Sequence, residues 1–124
     1  MPYVGYVEFF VPDEEATAEF YRRVFDWEPE VVFPGYLNIQ SGDEPGIHTG
    51  IARSEDGKVN TVATLLVPDL EAYAAKVEEH GGTVTVPTFA IPGVGHACYC
   101  TDLNGMTFGM WQSDTSVSQD TPES

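Results

Sequence analysis

His96, Cys98 and Cys100 stand at alternate positions in the stretch HACYC, and they are the first residues here that could do chemistry. Imidazole and thiolate are ligands that zinc and iron favour. The spacing argues against a site. Residues at i and i+2 on a strand share a face about 6.6 Å apart, at a rise of about 3.3 Å per residue, so their side chains stand parallel rather than converging. A disulfide at that separation would be strained. Zinc signatures place at least two residues between cysteines, across a turn. Cys98 and Cys100 read as small apolar residues in a strand, and no metal role is expected of them.

Glu8 is more informative. It lies midway along VGYVEFFV, an otherwise apolar alternating run, and a carboxylate there must be paired or wet. It is either a solvated acid, or a ligand anchor or general base with His48 as its partner. His48 and His96 could equally be histidines without a role, and His80 ends a helix, where a cation suits the dipole. Tyr6, Phe10, Tyr36, Phe89 and Trp111 are candidate cleft aromatics, although aromatics at such spacing are more often core. With Asn38 and Gln40 from YLNIQ they would suit a flat, partly polar organic ligand. Nucleophilic triads, phosphate-binding loops and dinucleotide fingerprints are absent. HGGTV follows a helix, so it caps that helix rather than cradling a phosphate.

The elements that position these residues come in two copies. VPDEEATA (Val11–Ala18) and VPDLEAYA (Val67–Ala74) match at six of eight places, 56 residues apart, and such self-similarity marks a repeated supersecondary unit. Val7, Phe9 and Val11 of the first strand point one way, and Tyr6, Glu8 and Phe10 the other. Asp13 caps a helix with Glu14 and Glu15 in its first turn and an apolar stripe of Ala16, Phe20, Val24 and Tyr21. Extended pieces EPEVVF, GYLNIQ and GIHTGIAR follow. In the second copy NTVATLLV is a strand, and Asp69 caps a helix with Leu70, Tyr73, Ala74 and Val77 on one face. Gly81 and Gly82 stop it. GTVTVP, GHACYCTD and MTFGMWQ are strands, with DLNG turning between the last two. Each unit is therefore β-α-β-β-β.

The charge bounds the partners. Twenty acidic against five basic residues in 124 give a formal net charge of −15 and a pI near 4.1. Nucleic acid and anionic membrane surfaces are disfavoured. The acidity has three readings: a well-solvated surface, adaptation to high salt, or a cleft tuned to a cation. No apolar run reaches the roughly 18 residues of a membrane span, and MPYVGYVEFF lacks a signal peptide's basic start, so a cytoplasmic location is expected.

Paired units of this kind, with FYRRVFDWE after the first cap, HGGTVTVP after the second helix and the closing GHACYCTDLNGMTFGMWQ, resemble the vicinal oxygen chelate superfamily of glyoxalases, bleomycin-resistance proteins and extradiol dioxygenases. The likeness covers roughly residues 3–112. It implies an α+β fold in which two βαβββ modules (about 3–54 and 59–112) pair into a curved mixed sheet, helices outside and a concave cleft within. Residues 113–124 then form a polar, disordered tail. It also implies a divalent metal held by His and Glu from the first and last strands of each module. Carried over residue by residue, those positions fall on Tyr6, His48, Val62 and Gly109, and only His48 binds a metal readily. The quartet is missing.

The expectation is thus a homodimeric, bleomycin-resistance-like protein without cofactor, binding a small cationic or aromatic organic molecule through Tyr6, Glu8, Phe10, Asn38, His48 and Trp111. One rival is an enzyme of the same superfamily, either metal-dependent with displaced ligands or a metal-free acid–base catalyst using Glu8 and His48. The other is a scaffold or accessory subunit with a vestigial cleft.

Overall fold

Both helices begin at the predicted aspartates. Asp13 and Asp69 are extended, and their carboxylates accept from the N–H of Ala16 at 3.0 Å and of Ala72 at 3.2 Å. Each thereby satisfies an amide the helix itself leaves without a partner. The first helix ends at Asp26, which adopts the left-handed conformation (φ 58°) and donates its N–H to the Arg22 carbonyl. The second ends at His80, with Gly81 at φ 96° and the Gly82 N–H returning to the Val77 carbonyl. Gly81 is a position where only glycine avoids a steric penalty.

The computed structural model describes residues 1–39, 47–114, 116 and 117. Its elements are β1 (Tyr3–Val11), α1 (Glu14–Phe25), β2 (Glu30–Phe33), β3 (Tyr36–Ile39), β4 (His48–Arg53), β5 (Asn60–Leu66), α2 (Leu70–Glu79), β6 (Thr83–Ile91), β7 (Gly95–Thr101) and β8 (Thr107–Ser113). They form an α+β fold of two units, one of residues 5–63 and one of residues 64–124 with residues 1–4. In the first, the strands lie in the order β2-β3-β4-β1, antiparallel except for the parallel pair β4–β1. The second repeats the scheme as β6-β7-β8-β5, with β8–β5 parallel. Among the described residues no helix is long and apolar enough to cross a membrane.

In the first unit α1 packs on one face of the sheet. Ala18, Leu37, Ile39 and Ile51 are buried there, with Phe9, Val11, Tyr21 and Trp27 against them. In the second unit α2 covers Val67, Cys98, Cys100 and Met110 with its Leu70, supported by Tyr73, Ala74 and Val77 as the periodicity predicts.

Three details depart from the sequence reading. Of the predicted α1 stripe only Tyr21 packs on the core: Phe20 and Val24 are 59% and 53% exposed, and Ala16 is exposed as well. The buried face runs through Glu14, Ala18 and Tyr21. Glu14 can be buried because Arg53, at the end of β4, donates to both its carboxylate oxygens at 2.9 and 2.8 Å. With this ion pair Glu14 sits on the buried side of the helix, and Phe20 and Val24 on the exposed side. Strand β6 runs through Pro87 to Ile91 instead of stopping at the proline, which is tolerated because β6 is an edge strand with register shifts around it. Finally, β8 extends to Ser113, and Asp114 and Val117 remain bonded to the β6–β7 connection, Asp114 N–H to the Val94 carbonyl and Gly93 N–H to the Val117 carbonyl. Gln40, and residues 118–124 of the expected tail, lie outside the described residues.

Candidate functional site

Strand alternation places the side chains of Tyr6, Glu8 and Phe10 on the sheet face away from α1, because Phe9 and Val11 belong to the core beneath it. Register extends that face sideways. Tyr6 lies beside His48, Glu8 beside Gly50 and Phe10 beside Ala52. Tyr36 and Asn38 lie beside Ala52 and Gly50 from the other side. One row across the sheet therefore reads Glu8, Gly50, Asn38, Glu30.

Gly50 is the position of that row without a side chain, and the space above it is filled. A Cβ there would collide with the hydroxyls of both Tyr36 and Tyr6. Those hydroxyls are bonded to each other at 2.6 Å, and Tyr36 donates onward to Glu8 Oε2 at 2.7 Å. Glu8 is only 6% exposed, so this charge-assisted bond forms largely out of water, where it is stronger. Phe33 stacks on the Tyr36 ring at 5.2 Å between centroids, which holds the phenol in place. Burial, and then the nearby Glu8 charge, raise the Tyr36 pKa far above that of a free phenol. Tyr6 is raised as well, mainly by burial and secondarily by Glu8, against a lowering from its bond to Tyr36. Both are neutral hydrogen-bonding groups throughout the usual pH range.

The hydroxyl protons have a fixed sense. Tyr36 uses its own on Glu8, so Tyr6 supplies the one between the two phenols. The Tyr6 oxygen is left with lone pairs only. Asn38 Oδ1 is also buried and accepts no hydrogen bond among the described residues. His48 is exposed at the start of β4, beside Tyr6.

The second unit fills the matching place differently. Gly109 on β8 lies beside Thr64 on β5, and the Thr64 side chain occupies the space a Cβ would take. Trp111 is beside Leu66 and Ala97 on the same face, its Nε1 buried without a partner among the described residues. Phe89 stacks on Tyr99 at 6.1 Å. Val62 is buried and apolar. Cys98 and Cys100 point into the core under α2, their sulfurs 4.0 Å apart as free thiols, and burial pushes Cys98 up to about 12.

Of the sequence-predicted site residues, Tyr6, Glu8, Phe10, Asn38 and His48 share one face of the first unit, while Trp111 belongs to the second. The sequence reading missed Gly50, and it took Tyr36 as one aromatic among several. The signal was present: a carboxylate inside an apolar strand demands a donor, and the glycine in IHTGIA marks where the donors can approach.

Of the positions that the resemblance assigns to a divalent metal, only His48 offers a ready ligand. Tyr6 is engaged with Tyr36, Val62 and Gly109 have no ligating group, and no cluster of three or more His, Cys, Asp or Glu side chains occurs among the described residues.

Comparison with known proteins accords with the fold. The Mn(II)-bound glyoxalase of Novosphingobium aromaticivorans superposes with a TM-score of 0.67 at 22% identity, over 97% of this chain and 42% of that one. A variant of Streptomyces coelicolor methylmalonyl-CoA epimerase, in complex with 2-nitronate-propionyl-CoA, gives 0.66 at 16% identity, over 94% of this chain and 97% of that one. In sequence, the protein named "Putative glyoxylase CFP32" from Mycobacterium tuberculosis is 25% identical over 122 residues, 91% of this chain. The chain spans 46% of that relative's length. The family profile matches residues 3–110, nearly the whole of both units, and the chain belongs to the Glyoxalase/Bleomycin resistance protein/Dioxygenase superfamily.

Proposed function

We propose that this protein binds a small organic molecule on the face of the first unit that carries Glu8, in the manner of the bleomycin-resistance-like branch and without a metal. The observation that carries the reading is the Glu8–Tyr36–Tyr6 chain over Gly50. A buried carboxylate that accepts from the Tyr36 phenol, itself bonded to Tyr6, is an organised polar anchor, and the half-buried Phe10 beside it supplies apolar surface. Of the positions where the family's metal ligands would stand, Tyr6 is bonded to Tyr36, and Val62 and Gly109 carry no ligating group. The protein works in the cytoplasm as a homodimer under this reading.

Turnover is the second reading. A hydrogen-bonded chain ending at a carboxylate can also carry a proton, with Tyr6 facing the substrate and Glu8 as the base behind it. Ligand screening by protein-observed NMR, followed by product analysis on each hit, separates the two. Saturable binding that perturbs Tyr6 and Asn38 signals, with ligand recovered unchanged, supports sequestration. Conversion abolished by Glu8→Gln replaces it with catalysis. One equivalent of Zn, Fe, Ni or Mn per chain, lost with His48→Ala, overturns the metal-free reading.

A further inference from the structure

The site's hydrogen-bonding inventory is one-sided. Around Gly50 the structure presents the Glu8 carboxylate, the Tyr6 oxygen with its proton already given to Tyr36, and Asn38 Oδ1, buried with no donor among the described residues. Glu8 and Asn38 flank Gly50 on the neighbouring strands, about 10 Å apart at a strand spacing of about 4.8 Å. All three atoms are acceptors, and the donors on this face are the Asn38 amide nitrogen and the exposed His48 beside Tyr6. A buried acceptor without a donor is costly, and the Asn38 oxygen gains most from a ligand that brings one. An anion would meet the Glu8 charge and the lone pairs of Tyr6 and Asn38 Oδ1.

We infer that the ligand head is an organic cation with N–H donors, a protonated amine, amidinium or guanidinium, and that Asn38 is its second anchor beside Glu8. The inference rests on the binding reading above and specifies its ligand class. A quaternary ammonium carries the same charge but cannot satisfy Asn38 or Tyr6. Attraction to the protein's overall charge of −15 would treat both cations alike, so the N–H requirement isolates the site from the general field.

The test uses the full chain and three probes of similar shape: benzamidinium, benzyltrimethylammonium and benzoate. Each is titrated by NMR in about 0.5 M KCl, where the Debye length falls to about 4 Å and diffuse attraction is suppressed. Benzamidinium should bind roughly tenfold or more tighter than either other probe, with the Asn38 side-chain amide signals shifting. Glu8→Gln should weaken it roughly ten- to hundredfold and Asn38→Leu roughly tenfold, the scale of one charge-assisted and one neutral hydrogen bond. Asn38→Asp keeps the acceptor and adds charge, so it should bind at least as tightly, which covers the case in which Asn38→Leu fails to fold. Benzyltrimethylammonium binding as well as benzamidinium overturns the inference. Benzoate binding best, and losing affinity with Tyr6→Phe, leaves the site in place and overturns the ligand class. If none of the three binds, both the class and the site reading fall.

Discussion

Replacing Gly50 by alanine is the sharpest probe of the site, because the new methyl would occupy the space now held by two phenol oxygens. The hydroxyls must move, and both of their hydrogen bonds go with them. The Tyr36–Glu8 bond is charge-assisted and contributes about 1.5–3 kcal/mol, and the neutral Tyr6–Tyr36 bond about 0.5–1.5 kcal/mol. Gly50→Ala should therefore destabilise the fold by about 2–4.5 kcal/mol, read as a shift in urea midpoint at unchanged slope. In a Tyr6→Phe, Tyr36→Phe background the hydroxyls are gone and only the ring edge, with Tyr36 Cζ at 2.8 Å, remains to be displaced. There the same substitution should cost about 1 kcal/mol, the low end of overpacking. Gly109→Ala gives an internal comparison, since its nearest obstacle is the short Thr64 side chain. A cost for Gly50→Ala within about 0.5 kcal/mol of zero, or equal in both backgrounds, would refute the argument.

Three other outcomes follow from the geometry. Arg53 lowers the Glu14 pKa, chiefly through its hydrogen bonds. The pair's stabilisation is thus present above the ordinary carboxylate range and lost as pH falls through the lowered folded value. Glu14→Gln should be less stable than wild type at pH 7, and the gap should close below about pH 4, as denaturation midpoints across that range would show. Asp26→Gly should stabilise by about 0.5–1 kcal/mol, because glycine adopts φ 58° without the steric penalty and a carboxylate leaves a helix C-terminus. A lower melting temperature would contradict it. The excess of fifteen acidic charges repels itself, so melting temperatures should climb from dilute buffer to molar KCl. A flat or falling trend would leave self-repulsion without weight.

The repeat made the fold legible. Two aspartate caps 56 residues apart, each between an apolar strand and an apolar helix, dictated both units, and the strand alternation assigned Glu8 to the face away from α1. What could not be read were facts that join residues distant in sequence. Glu14 looked like a dipole partner in a first turn, but it is bonded to Arg53, 39 residues on, and sits on the buried side of α1. The hydrophobic pattern of α1 alone favoured Phe20 and Val24, since periodicity counts apolar residues and not ion pairs. The Tyr36–Glu8 bond spans 28 residues and depends on strand register. Register follows from pairing partners, and a single strand does not announce them.

The orientation of α1 has a colloidal consequence. By turning Glu14 and Ala18 inward, the first unit leaves Phe20, Val24 and Phe25 outside, and β2 adds Val31, Val32 and Phe33 at the sheet edge, all more than half exposed. Dispersal of such a surface relies on electrostatic repulsion between molecules, and here the excess of carboxylates supplies it. That repulsion vanishes near the pI of about 4.1, while the apolar surface does not change with pH. Acidification should therefore precipitate this protein before it unfolds it. The abundance of acid and the outward-facing aromatic residues are two halves of one solubility arrangement, and removing surface carboxylates would expose the other half.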